Sequence, residues 1–212
     1  MLIFEKKYAP TCFNDLIFPD LNTRQRLQDF ADNKRHNSII LHGPYGTAKS
    51  TTANILVEER TKGLEYGGVD FHRACNVTHE TCDIIHRKWM IEKLCGVQLP
   101  VSVFDEADRI NSDILYAFRW DIDMRSDLGC FIFTTNRIDR MDPGLVDRCD
   151  VVELPAANTG HWFNRARWIL NQENKPLSDK KLRNLLATCD GSIRDLMRAL
   201  EDAVSKARRD AA

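Results

Sequence analysis

The sequence predicts an α/β protein: a five-stranded parallel sheet with helices on both faces, followed by a small all-helical region. Three observations carry that reading. Short, β-rich apolar runs alternate with helical patterns over the first 155 residues, as a parallel sheet with crossover helices requires. The strand signal stops after Leu154-Pro155. Beyond that point only apolar spacings of three and four residues remain. A length of 212 residues suits one domain of about 150 residues with a small satellite. We expect an α/β domain over 1–155 and a helical domain over 156–212.

The expected strands are 38–41, 70–75, 101–104, 130–134 and 151–154, each short and rich in Val, Ile, Phe or Cys. Helices are expected over 23–33, 50–61, 82–94 and 113–124 between them. The helical end divides into 160–172 with Thr159 as N-cap, a helix from the N-cap Ser178 to 188, and 192–208. Looser linkers are expected over 62–68 and 171–176, and no internal repeat is visible.

Composition narrows the function classes. Hydrophobic residues make up 43% and charged residues 29%, the balance of a folded globule, which excludes disordered and fibrous chains. The net charge is −1, so any nucleic-acid contact needs a local basic patch. Residues 156–212 carry a net +4 and residues 1–155 a net −5, which makes the helical end the more cationic. Seven cysteines, odd in number and scattered, argue against a secreted disulfide framework and for a reducing cytosol. No run approaches the roughly 20 apolar residues of a membrane span, and the N-terminus lacks the order of a signal peptide. A soluble cytoplasmic protein with no membrane partner is expected.

The first strand runs into His42-Gly43-Pro44-Tyr45-Gly46-Thr47-Ala48-Lys49-Ser50-Thr51 and then into a helix. Binding a triphosphate takes converging backbone N–H groups and a helix N-terminus facing the anion. Gly43 and Gly46 permit the curvature, Lys49 reaches the β- and γ-phosphates, and Ser50 is placed to ligate Mg²⁺. Pro44, Tyr45, Thr47, Ala48 and Thr51 complete the loop. Ala48 stands where the pattern G-x-x-x-x-G-K-[ST] has its second glycine. Its methyl is tolerable if the backbone is near the right-handed helical region, and costly if φ is positive.

The strand before Asp105-Glu106 ends in carboxylates. Open α/β sheets bind ligands at the carboxyl ends of their strands, so this edge is expected beside the loop. Asp105 then suits the outer shell of Mg²⁺, behind its direct ligands, and Glu106 the polarisation of an attacking water.

With these motifs placed, the chain resembles the AAA+ ATPases, and among them the small subunits of sliding-clamp loaders, bacteriophage types included. The opening Glu5-Lys6-Lys7-Tyr8-Ala9-Pro10, followed by Asp15-Leu16, is similar to the family's E-K-Y-R-P and D-L signature, with Ala9 in place of Arg. The resemblance implies that Tyr8 and Pro10 border the base. Cys130 to Asn136 is similar to the sensor 1 strand, which makes Asn136 a partner of the lytic water or γ-phosphate. Leu145-Val146-Asp147-Arg148-Cys149 resembles the Ser-Arg-Cys motif, which implies Arg148 as a finger for a neighbour's ATP, with Asp147 available to pair with it. Gly191-Ser192-Ile193-Arg194 resembles sensor 2, so Arg194 would reach the γ-phosphate from a helical lid.

Two further segments resemble clamp loaders in particular. Ala117-Phe118-Arg119-Trp120 stands where they carry A-L-R-R, and Cys75 to Glu80 is similar to their L-N-A-S-D-E. The helix that follows implies DNA-phosphate contacts at His86, Arg87, Lys88 and Lys93, although a helix with this many charges also fits a merely solvated face. The His and Cys residues from His72 to His86 lack paired zinc spacing and are not read as a metal site.

The resemblance thus implies a P-loop AAA+ core with a helical lid that binds ATP with Mg²⁺. It also implies hydrolysis in an assembly of like or related AAA+ subunits, acting in DNA replication on a sliding clamp or another replication protein, with DNA a further partner. For a phage-encoded chain the compartment would be the host cytoplasm. Clamp-loader subunits continue into a collar domain, whereas this sequence stops at Ala212. Assembly is therefore expected to depend on ATP and a partner, unless the module serves another task or is part of a longer protein. The alternative function is a nucleotide-gated scaffold of a virus or plasmid that needs little turnover.

Overall fold

A computed structural model describes residues 4–64, 69–156, 159–189 and 191–209. Five parallel strands form one sheet in the order β2-β3-β4-β1-β5. They are β1 (Ile39–His42), β2 (Asp70–Arg73), β3 (Val101–Asp105), β4 (Cys130–Thr135) and β5 (Asp150–Glu153). The central strands are buried on both faces, as parallel strands covered by helices are, and a slip of one residue would exchange the two sets of side chains. Ile40 pairs with Phe133 on one side and Val151 on the other.

Each face of the sheet has its own apolar layer. Ile39, Leu41, Val101, Val103 and Ile132 point to α2 (Leu21–Ala31) and α3 (Lys49–Arg60), packing on Leu27, Phe30, Leu56 and Val57. Ile40, Phe104, Phe131 and Phe133 point to α4 (His79–Leu94) and α5 (Ser112–Arg125), meeting Ile85, Trp89, Leu115 and Phe118. The short α1 (Phe4–Lys7) precedes this layered unit, and α6 (Pro143–Asp147) leads into β5.

Helix starts follow local side-chain chemistry. The Asp20 carboxylate accepts from Thr23 N at 2.8 Å ahead of α2. Thr78 and Thr81 cap α4 reciprocally, which starts that helix at His79, three residues before the apolar spacing places it. The second strand ends at Arg73, because Ala74–Asn76 coils into a 3₁₀ turn leading to that cap.

The helical end consists of α7 (Thr159–Gln172), α8 (Asp179–Ala187) and α9 (Ile193–Arg209). Ser178 occupies the N-cap position of α8 but makes no side-chain capping bond, and α7 already includes Thr159. The expected linker at 62–68 lies partly outside the described residues. Phe4 and Tyr8, early in the chain, pack among Trp162, Ile169, Leu182 and Leu200 of these helices. The N-terminal arm therefore shares the apolar core of the far end of the chain. Among the described residues no helix is long and apolar enough to cross a membrane.

Candidate nucleotide site

β1 delivers the chain to the loop at Gly43, whose φ is +149°, and Gly46 follows at +77°. A Cβ at Gly43 would run into the Leu154 carbonyl after β5, and one at Gly46 would strike the Ser192 side chain. Both glycines are thus required by close approach as well as by backbone angle. Ala48, at φ +61° and ψ +25°, takes the left-handed conformation just ahead of α3. Of the two conditions on its methyl, the costly one holds. The Lys49 ammonium is folded back into the loop and donates to the Gly43 carbonyl at 2.9 Å and the Pro44 carbonyl at 2.6 Å. Burial draws its pKa down to about 8, against the opposing pull of the Asp105 carboxylate. An anion arriving at the loop would meet these carbonyl contacts in competition for the same three donors.

The acidic edge lies against the start of α3. The Ser50 hydroxyl donates to Asp105 Oδ1 at 2.5 Å, and Thr134 Oγ1 donates to the same oxygen at 2.6 Å. Thr134 also accepts from the Glu106 backbone N–H at 3.2 Å, so one hydroxyl of β4 fixes both acidic residues. Glu106 itself has φ +57°, and its carboxylate meets Arg109 at 2.8 Å. Thr134 lies inside the Cys130 to Asn136 match, but the sequence reading gave a role there to Asn136 alone. Asn136 follows directly at the end of β4, where Thr135 anchors the turn by donating to Asp108 at 2.7 Å.

These groups open on a cavity of about 500 Å³, within the range of small-molecule sites. Of the expected residues, Tyr8, Pro10, Tyr45, Gly46, Thr47, Ala48, Lys49, Ser50, Thr51, Asp105, Glu106, Asn136 and Arg194 line it. Gly43 and Pro44 are not on the wall; their carbonyls hold Lys49 from behind it. The start of α9 reaches the loop, with the Ile193 N–H donating to the Gly46 carbonyl at 2.9 Å, and this places Arg194 on the cavity wall beside the loop. The opposite end is walled by Leu16, Ile17, Phe18, Trp162, Arg165 and Met197, of which the sequence reading named only Leu16, as part of the opening signature and with no role in the site. They come from three separated segments, and only the fold brings them together.

Other expected residues hold contacts outside the phosphate loop. Arg148 lies away from this cavity. Its Nε donates to both Asp123 oxygens, at 2.8 and 2.9 Å, and its Nη1 donates to the Gly144 carbonyl at 2.9 Å. The carboxylate that pairs with it is therefore Asp123 of α5, one helix away, and not the adjacent Asp147. The Tyr8 ring is turned into the helical end, edge-on to Trp168, and its hydroxyl donates to Glu173 at 2.7 Å. On α4, His86 is buried and meets Asp121 at 3.2 Å, so it is no phosphate contact. Lys88 meets Asp70 at 2.9 Å, and Lys93 donates to the Asp127 carbonyl. Of the four residues, Arg87 is the exposed one, and its Nε donates to the Asp83 carbonyl at 3.3 Å.

Comparison with known proteins follows the same lines. The family described as "ATPase family associated with various cellular activities (AAA)" matches residues 39–155. Among curated relatives, the chain is similar to the replication factor C small subunit of Thermofilum pendens, 26% identical over 97% of this chain and 64% of that protein. It is also similar to replication factor C small subunit 1 of Pyrobaculum arsenaticum, 26% identical over 98% of this chain and 63% of that protein. The chain thus spans a little under two thirds of these relatives. Among solved structures, the Thermotoga maritima RuvB Holliday junction branch migration motor superposes with a TM-score of 0.70 at 16% identity. That match covers 92% of this chain and 64% of the other, and it shows the shared fold.

Proposed function

The chain belongs to the AAA family of ATPases, whose pattern matches more than half of it, and on that footing we propose that it binds Mg·ATP in the cavity between sheet and lid and hydrolyses it as a clamp-loader-type module in DNA replication. The observation that carries this reading is the 2.5 Å contact between Ser50 and Asp105. It brings the hydroxyl after the loop lysine and the carboxylate at the end of β3 to one point, beside a loop that has no side chain in the way at Gly46. A hydroxyl and a carboxylate are hard oxygen donors of the kind Mg²⁺ takes. The bound Mg²⁺ would neutralise charge on the phosphate oxygens.

The remaining roles belong to the chain's own groups. Lys49 leaves the loop carbonyls for the β- and γ-phosphates, and Arg194 adds a planar, permanently charged fork from the lid. Glu106 turns from Arg109 to accept a proton from water that Asn136 helps align. Pro10 and the backbone at Tyr8 border the base, the Tyr8 ring being held in the helical end. Arg148, held at the outer surface by Asp123, serves the site of a neighbouring AAA+ subunit, where a guanidinium in trans adds on the order of 10³-fold or more to turnover. Isolated chains are then nearly inactive. The resemblance to replication factor C small subunits favours a sliding clamp or another replication protein as client, with DNA as effector, over a scaffold without turnover.

Titration calorimetry with Mg·ATP is the direct test. Wild-type chain takes up one nucleotide, Lys49→Ala loses most of that affinity, and Glu106→Gln keeps binding while losing turnover in the presence of partner subunits and primed DNA. Absence of uptake by folded wild-type chain would refute the reading.

A further inference from the structure

The helical end touches the rest of the chain at both ends of the cavity. At the phosphate end the contact is the backbone bond from Ile193 to Gly46, at 2.9 Å. At the other end, beside the arm residues packed into the helical core, it is a side chain of α7. Arg165, on α7, donates from Nη1 to Asp15 Oδ1 at 3.4 Å and from Nη2 to the Tyr8 carbonyl at 3.3 Å. Its guanidinium also lies over the Trp168 ring, 4.4 Å from the centroid. One planar cation therefore joins the N-terminal arm, the 3₁₀ turn Phe13–Asp15 beside the sheet, and the lid helix.

The acceptor is built for the purpose. The second oxygen of Asp15 takes both the Thr11 backbone N–H and the Thr11 hydroxyl, each at 3.1 Å. These bonds, the backbone one foremost, hold its carboxyl below the usual range and keep it charged. The Arg165 and Asp15 side chains are 19% and 27% exposed, so water screens the pair less than it does a surface ion pair. Both residues line the cavity.

We propose that Arg165 and Asp15 form a latch that closes the base end of the nucleotide cleft, with Arg165 acting as a positioning residue. This rests on the nucleotide reading above. The physical argument concerns wall spacing. A flat base is held by apolar walls at contact distance on both of its faces. Here the walls are Leu16 and Phe18 on the side of the sheet and Trp162 on α7, one turn before Arg165. Fixing Arg165 to Asp15 fixes the gap between those walls. The phosphate end has its own tie through Gly46, so loosening the latch should open the base end alone.

The test compares two probes, Mg·ATP and Mg·tripolyphosphate, which has the phosphate chain without the base. The variants are Asp15→Asn, Arg165→Gln and the charge-swapped double variant Asp15→Arg/Arg165→Asp. Each single variant is expected to release ATP about fivefold faster, the effect of one charge-assisted contact in a partly screened place. Tripolyphosphate affinity should be unchanged. The swap should recover much of the ATP retention, and raising the salt should narrow the difference between wild type and the single variants. Unchanged ATP release, equal weakening of both probes, or a swap no better than the worse single variant would each overturn the latch. If wild-type chain holds tripolyphosphate but not ATP, the base-end assignment and the latch both fall. If it holds neither, the nucleotide reading itself fails, and the latch falls with it.

Discussion

Ala48 illustrates how one methyl group tests a loop. Its φ of +61° lies where L-residues other than glycine are strained, and Glu106 at +57° shares that condition across the cavity. At Ala48 the left-handed turn is imposed by the chain on either side of it. Lys49 is pinned to the Gly43 and Pro44 carbonyls, and the Ala48 carbonyl accepts from Thr52 N at 2.8 Å as the first bond of α3. Left-handed backbone costs a residue with a Cβ about 1–2 kcal/mol, part of which a glycine would return through the greater entropy of its unfolded chain. Ala48→Gly is therefore expected to raise the unfolding free energy by about 0.5–1 kcal/mol in urea denaturation, with an unchanged slope; equal or lower stability would contradict the strain. The identity of this residue was plain in the sequence, but its φ was not, because the neighbours' hydrogen bonds decide it. The same division runs through the site. The phosphate loop is a contiguous motif and was legible; at the other half the resemblance pointed to Tyr8 and Pro10, but not to the walls near 17, 162 and 197 that only the fold assembles.

The β2 strand poses a different problem, since it is four residues long and pairs with β3 alone. Backbone pairing on one side leaves such an edge weakly held. A side-chain knot compensates. Asp70 accepts from Ser102 Oγ at 2.6 Å and meets Lys88 at 2.9 Å and His72 at 3.0 Å, while Trp89 Nε1 donates to Ser102 Oγ at 3.0 Å. The edge strand, its neighbour and α4 are thereby tied at one carboxylate. Burial would raise the Asp70 pKa, but the bonds from His72, Ser102 and Lys88 together outweigh it and hold the carboxyl well below the ordinary range. A carboxyl with a depressed folded-state pKa contributes stability that is full above its unfolded value near 4 and disappears as pH falls toward the folded value. Asp70→Asn should therefore destabilise the protein at pH 7 by about 2 kcal/mol and flatten the acid limb of its stability curve. An unchanged acid limb would show that Asp70 is not its source. This knot also explains why Lys88 was misread from sequence. A lysine on a charged helix looks available, and the carboxylate that claims it lies 18 residues upstream on a strand.

The N-terminal arm and the helical end share one apolar core, and here the sequence reading divided the chain by position where the packing divides it by contact. Alternation of strands and helices located the sheet well, because periodicity is local. It gave no sign that Phe4 and Tyr8 would be buried among α7, α8 and α9, since that contact joins residues more than 150 positions apart. Tyr8 donates to Glu173 at 2.7 Å, and Lys7 meets the same oxygen at 2.6 Å. The arm thus crosses from the sheet side to the lid and is fastened there by one carboxylate and two aromatic rings. Large-to-small changes at buried aromatic positions cost about 3–5 kcal/mol, and a small helical unit has little stability to spare. Phe4→Ala combined with Tyr8→Ala should therefore loosen the lid before the sheet. In hydrogen exchange, amides of α7 and α9 should lose protection by orders of magnitude while those of β1, β3 and β4 keep theirs. Tyr8→Phe retains the ring and gives up only the bond to Glu173, so its loss should be near 1 kcal/mol and confined to the same helices. Equal loss of protection in sheet and lid would mean that the two unfold as one unit, and the arm would then be a brace for the whole molecule and not part of the lid.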